Sequence, residues 1–196
     1  GHIASTARAR GIVVVDADKR KLDRMSVTHA HQGVIALCAV REYASVDDIL
    51  AAAREKGEAP LIVVCDELSD PHNLGAILRS AECAGAHGVI IPKRRSAGLT
   101  AVVAKTSAGA VSHIPVARVA NLASTVDELK EQGVWVYGCD MEGQTWCEVN
   151  FDGGVALIIG SEGKGMSRLL KEKCDVMVSL PMRGEVTSLN ASVAGG

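Results

Sequence analysis

The chain has 196 residues, 47% of them hydrophobic and 22% charged, with a formal net charge of −2 at pH 7. That length accommodates one α/β domain of about 140 residues and a small companion. The near-neutral charge excludes a histone-like, strongly basic nucleic-acid binder, and no apolar run approaches the roughly 18 residues of a membrane span. The two arginines within Gly1–Arg10 are not followed by the apolar core of a secretory signal, so a cytoplasmic protein is expected.

In chain order, the β-branched runs Ile12–Val15 and Val34–Val40 flank a charged, helix-compatible stretch from Asp16 to Met25. Strand, helix and strand are predicted there, too little to bury a core alone, so residues 1–44 read as part of a small α/β domain. His29 and His31 lie two apart with no cysteine or carboxylate at ligand spacing beside them, and no metal site is expected. Ser45-Val46-Asp47-Asp48 has the spacing of a capping box and opens an amphipathic linker helix across 45–59 that Gly57 ends.

From residue 60 onward, short apolar strands are predicted at 61–65, 88–91, 112–116, 134–139, 155–159 and 175–180. They alternate with helices near 73–85, 100–108, 122–132 and 166–173. Such alternation indicates a parallel sheet covered by helices on both faces. The six cysteines, at 38, 65, 83, 139, 147 and 174, form no Cys-x-x-Cys pair and are expected as buried, reduced thiols. Lys19-Arg20-Lys21 and Lys93-Arg94-Arg95 group the positive charge, and by themselves read as solvated faces. The chain lacks an initiating Met, begins Gly1-His2 like a tag remnant and stops just after a helix begins, so it is expected to be a piece of a longer protein.

Three segments carry the chemistry: Asp70 to Ser80 (DPHNLGAILRS), Ile158 to Met166 (IIGSEGKGM) and Leu180 to Asn190 (LPMRGEVTSLN). The glycine-rich turn at Gly160–Gly165 follows a strand, as a backbone approaching a ligand does. It is not a Walker loop, because Met166 follows Gly165, and it is not a dinucleotide fingerprint, because Arg168 stands where a small residue is required. Read from residue type alone, Leu180 and Leu189 are core residues, Arg79 a salt-bridging arginine, and Glu162, Ser188 and Asn190 hydrogen-bonding loop residues. Asn73 is expected to cap the helix that begins there.

In order, spacing and detail the three segments resemble the three motifs of the SpoU/TrmH family, RNA ribose 2′-O-methyltransferases that use S-adenosylmethionine. The resemblance implies a C-terminal trefoil knot, which no periodicity reveals, and places an N-terminal RNA-binding module similar to ribosomal protein L30e at residues 1–44. Residues 60–196 would be the methyltransferase domain, and with an RNA substrate implied, Lys19-Arg20-Lys21 and Lys93-Arg94-Arg95 are expected to contact RNA instead of forming solvated faces. It assigns catalytic roles to Arg79, Asn73, Glu162, Ser188 and Asn190, and cofactor contact to Gly160, Leu180, Met182, Ser188 and Leu189, without a metal. It further implies a homodimer sharing its active site, with Met166, Leu169, Leu170, Met182 and Val186 as apolar groups near the shared region. Lys105–Ala110 and Ile114–Leu122 are similar to the bacterial members that methylate a guanosine of large-subunit (23S) ribosomal RNA. A tRNA substrate, or a noncatalytic RNA-binding or ribosome-assembly protein on the same fold, are the alternatives.

Overall fold

A computed structural model describes residues 2–26, 31–36, 41–185 and 188–196. It divides into two compact units, Gly1–Ala39 and Val40–Gly196. In the first, α1 (His2–Ala9) was not anticipated, and α2 (Lys19–Met25) falls inside the helix-compatible stretch, its start capped by Asp18, which accepts from the Lys21 amide at 2.7 Å. The run Ile12–Val15 is not a strand: Val13 and Val15 are 86% and 70% exposed, and no ladder partner pairs with it among the described residues. β-Branching favours extended backbone, but a strand needs a neighbour to take its hydrogen bonds. His29 and the whole Leu37–Val40 end of the second predicted strand, Cys38 included, lie outside the described residues; Val34 to Ala36 show no strand pairing.

The second unit opens on α3 (Val46–Lys56). Its capping box is complete: the Ser45 hydroxyl accepts from the Asp48 amide, and the Asp48 carboxylate accepts from the Ser45 amide at 2.8 Å. Gly57, at φ +67°, closes the helix in the left-handed conformation that a side chain would resist. Thereafter come β1 (Leu61–Cys65), α4 (Pro71–Cys83), β2 (Gly88–Pro92), α5 (Ala101–Thr106) and β3 (Val116–Val119). They are followed by α6 (Leu122–Glu131), β4 (Val134–Thr145), β5 (Gly154–Ile159), α7 (Arg168–Lys173), β6 (Val176–Ser179) and α8 (Ala191–Gly195).

All six strands are parallel, in the order β3-β2-β1-β5-β4-β6. Successive strand residues point to opposite faces. Ile62 and Val64 therefore join α3, α6 and α7 through Ile49, Leu129 and Leu170, whereas Val63 and Cys65 join α4 and α8 through Leu74, Ile77, Leu78 and Ala191. This is the expected doubly covered sheet.

Within the sheet of the second unit, two strands differ from expectation. The predicted strand at 112–116 starts only at Val116, after a 3-10 turn over Ala110–Ser112. The reason is local: the carbonyls of Val111 and Ile114 accept from the Arg41 guanidinium at 3.1 and 3.0 Å, and Pro115 has no amide to give a ladder. β4 runs on to Thr145 through a bulge, so that Cys139 and Gln144 both pair with Val178. Of the cysteines, Cys65 is buried and its thiol is pushed up to about 12 by burial, whereas Cys83 and Cys147 are exposed, against the expectation of uniform burial. Among the described residues no helix is long and apolar enough to cross a membrane, and no group of three metal-ligating side chains occurs.

Candidate active site

After β1 the chain builds strands on one side of the sheet, then crosses to build β4 and β5 on the other, so the neighbours β1 and β5 mark the reversal point. Ligands in open parallel sheets bind beyond the strand C-termini at such a point. The first segment follows β1, the second follows β5 and the third follows β6.

In the first segment the helix cap is Asp70, not Asn73: the Asp70 carboxylate accepts from the His72 amide at 2.8 Å, and Pro71 occupies the first helical position, where its missing amide costs nothing. With Asp70 as the cap, the Asn73 side chain is free to reach the second segment. Asn73 sits one turn into α4, 5% exposed, and its Nδ2 donates to Glu162 Oε1. Asn190, from the third segment, donates its Nδ2 to the same oxygen at 2.7 Å. Its own Oδ1 accepts from the Ser192 amide at 2.9 Å and caps α8, which fixes the amide with nitrogen toward Glu162. One carboxylate oxygen thus ties all three segments together.

The loop that presents Glu162 is closed by a reciprocal pair: the Ser161 amide donates to Gly165 at 3.0 Å, and the Gly165 amide donates back to Ser161 at 2.9 Å. A Cβ on Gly160 would collide with the backbone of Gly165 and Met166, so this glycine is required by the loop's own return. Asp66 was missed by the sequence reading. It is 4% exposed, directly after β1, and accepts from the Ser167 amide at 2.7 Å, while its own amide donates to the Ile159 carbonyl at 2.8 Å. It clasps both ends of the Gly160–Ser167 loop. The available signal was a carboxylate next to a fully apolar strand, because such a group is retained only with a donor.

An open cleft of about 340 Å³ lies beside the network, lined by Glu67, Asp70, Asn73, Arg95, Glu162 and Lys164 among others. Arg79 is exposed and its side chain makes no ion pair or hydrogen bond among the described residues, so the salt-bridged reading does not hold. It is six residues past Asn73, about 240° around the helix, and does not join the network. Ser188 is likewise exposed and has no side-chain partner among the described residues. Leu180, Met182 and Leu189 are 39%, 40% and 43% exposed, so three large apolar side chains of the third segment stand open to solvent where a core reading would have buried them. Val186 lies outside the described residues.

Comparison with known proteins bears on this geometry. A model of the SpoU rRNA Methylase family matches residues 60–196, and a model described as RNA 2′-O ribose methyltransferase substrate binding matches residues 1–44. A Bacillus subtilis protein, YacO, named as a TrmH family tRNA/rRNA methyltransferase, is 56% identical over 197 residues, covering 100% of this chain and 78% of the relative. Among solved structures, the SpoU methyltransferase AviRb of Streptomyces viridochromogenes in complex with the cofactor AdoMet is similar at 30% identity and a TM-score of 0.66. That match covers 70% of this chain and about half, 54%, of AviRb. An AdoMet-bound rRNA methyltransferase from Sinorhizobium meliloti, at 22% identity, shares the fold with a TM-score of 0.73 over 99% of this chain and 72% of its own.

Proposed function

Because the chain belongs to the SpoU rRNA methylase family, we propose that it transfers the methyl group of S-adenosylmethionine to a ribose 2′-hydroxyl of structured RNA. The observation that carries the reading is the tether of Asn73 and Asn190 on Glu162, which brings the three segments together beside an open cleft. Leu180, Met182 and Leu189 fit the cofactor, since adenosine needs apolar walls and these side chains are exposed beside backbone-rich loops. Gly160 and Ser188 border the same loops. When bound, the cofactor supplies an electrophilic methyl on a sulfonium.

The ribose hydroxyl is a very weak acid, so the protein's part is to align its oxygen and to stabilise the charge that develops there as the proton leaves. The Arg79 guanidinium serves as an anchor for the RNA phosphate and a partner for the developing alkoxide, the phosphate assisting in taking the proton. Glu162, Asn73 and Asn190 hold the loops in register. Ribosomal RNA, and a guanosine of 23S RNA in particular, is the favoured substrate because Lys105–Ala110 and Ile114–Leu122 resemble members with that target; tRNA is the alternative. A homodimer, residues 1–44 as an L30e-like RNA-binding module, residues 60–196 as a knotted catalytic domain, and a cytoplasmic site of action complete the proposal.

Calorimetry with S-adenosylhomocysteine in the presence of a chelator should show binding, and labelled methyl should enter unmodified 23S transcripts in preference to tRNA transcripts. Cofactor binding that strictly required a divalent ion, or preferential labelling of tRNA, would contradict the corresponding part.

A further inference from the structure

The loop from Lys93 to Leu99 leaves β2 and brings Arg95 to the cleft beside Asn73 and Glu162. It forms neither helix nor strand, yet it is pinned along its length. At its start the Lys93 amide donates to Val119 at 2.8 Å, and the Lys93 carbonyl accepts from Arg118 Nη2 at 2.9 Å. In its middle, Ala97 donates to the Leu68 carbonyl at 2.7 Å. At its end the Leu99 amide donates to the Tyr43 hydroxyl at 3.0 Å. Arg118 lies over the Tyr43 ring, 5.4 Å from its centroid. Tyr43 and Arg118 therefore form one clamp that closes on both ends of the loop.

Tyr43 is itself fixed. The next residue, Ala44, donates to the Val116 carbonyl at 2.9 Å and bridges Ala117, while Arg41 holds the carbonyls of Val111 and Ile114. Arg41–Ala44 thus runs as a strap along the outer edge of β3. Covering an edge strand needs only backbone pairing; the Tyr43 hydroxyl and the Arg118 guanidinium reach beyond it, to the loop. What they position is unusual. Arg95 has φ +57° and pairs through Nη1 with Glu67 Oε1 at 3.0 Å, and Glu67 has φ +54°. Two of the four non-glycine residues with left-handed backbone among those described meet in one ion pair at the mouth of the cleft. Such strain persists only where surrounding contacts over-determine it.

We propose that Tyr43 and Arg118 are positioning residues that set Arg95 for contact with the RNA strand entering the cleft. The inference rests on the RNA methylation reading above. Tyr43→Phe keeps the ring over Arg118 but removes the acceptor from the Leu99 amide. The KM for RNA should rise about fivefold, as for one lost hydrogen bond, with kcat and affinity for S-adenosylhomocysteine unchanged. In an Arg95→Ala background Tyr43→Phe should add nothing, because residues acting through one another are not additive. Hydrogen exchange on the full chain should show the Leu99 amide exchanging faster in the Phe variant, with the β1 amides unaltered. Additive effects, an unchanged KM, or unchanged exchange at Leu99 would each overturn the proposal. Should the unsubstituted protein fail to methylate RNA, the functional reading is at fault, and the exchange experiment still decides whether the clamp exists.

Discussion

Glu162 Oε1 accepts from two side-chain amides that are distant in sequence, one from Asn73 and one from Asn190, and the Asn190 amide is oriented by the cap it makes on α8. The sequence placed these three residues in one site only through the family resemblance; the pairing itself depends on the strand order that brings β1 beside β5. The cap of α4 was misjudged because Asn73 and Asp70 are both good capping residues, and Pro71 settles the choice by fixing the first helical position at 71. Asp66 escaped notice because its role is defined by a loop about a hundred residues away. Arg79 offers the sharpest test at this scale. Being exposed and unpaired among the described residues, it should tolerate Arg79→Ala with a stability change within about 0.5 kcal/mol. Methylation should fall by orders of magnitude, with cofactor affinity held within a few fold. Arg79→Lys should not rescue, since an ammonium does not reproduce a planar two-pronged phosphate contact. Equal loss of cofactor binding together with a lower melting temperature would make the residue structural.

Elements were legible where local chemistry and tertiary context agree. α3 carries its cap, its amphipathic face and its terminating glycine in eleven helical residues and their flanks, and it forms where expected. β3 shows the opposite case, since an arginine from the preceding strap consumes the carbonyls that an earlier start would use. The α3 cap also makes a pH prediction. The Ser45 amide, and then its hydroxyl, hold the Asp48 carboxyl below its ordinary value of 3.8. A carboxyl with a depressed folded value stabilises fully above its unfolded value and loses that contribution as pH falls through the folded one. Asp48→Asn should therefore lower the melting temperature by a constant amount between pH 6 and 8, and the difference from the unsubstituted protein should begin to shrink as pH falls below about 4 and vanish only once pH lies below the lowered folded value. A difference that persists in strong acid would assign the effect to helix propensity instead of the charge.

At the scale of the molecule, alternating apolar strands and helices announced the parallel doubly covered sheet, because that pattern admits few other layer architectures. The first unit was poorly read, since its β-branched run stands exposed without a ladder and its α1 carried no recognised start signal. The knot and the dimer rest on the family resemblance, as threading and association leave no period in a sequence. For the dimer, mixing an Arg79→Ala chain with a Glu162→Ala chain tests sharing: if each site draws on both subunits, some mixed dimers regain a working site, whereas a fully active monomer would refute it. The central claim is methyl transfer to a ribose oxygen, and nucleoside analysis by mass spectrometry, after reaction of isotope-labelled S-adenosylmethionine with unmodified ribosomal RNA, addresses it most directly. The account predicts one labelled nucleoside whose added mass lies on the ribose and whose 3′ linkage resists alkali. Label on a base, or none in RNA while the cofactor still binds, would contradict it.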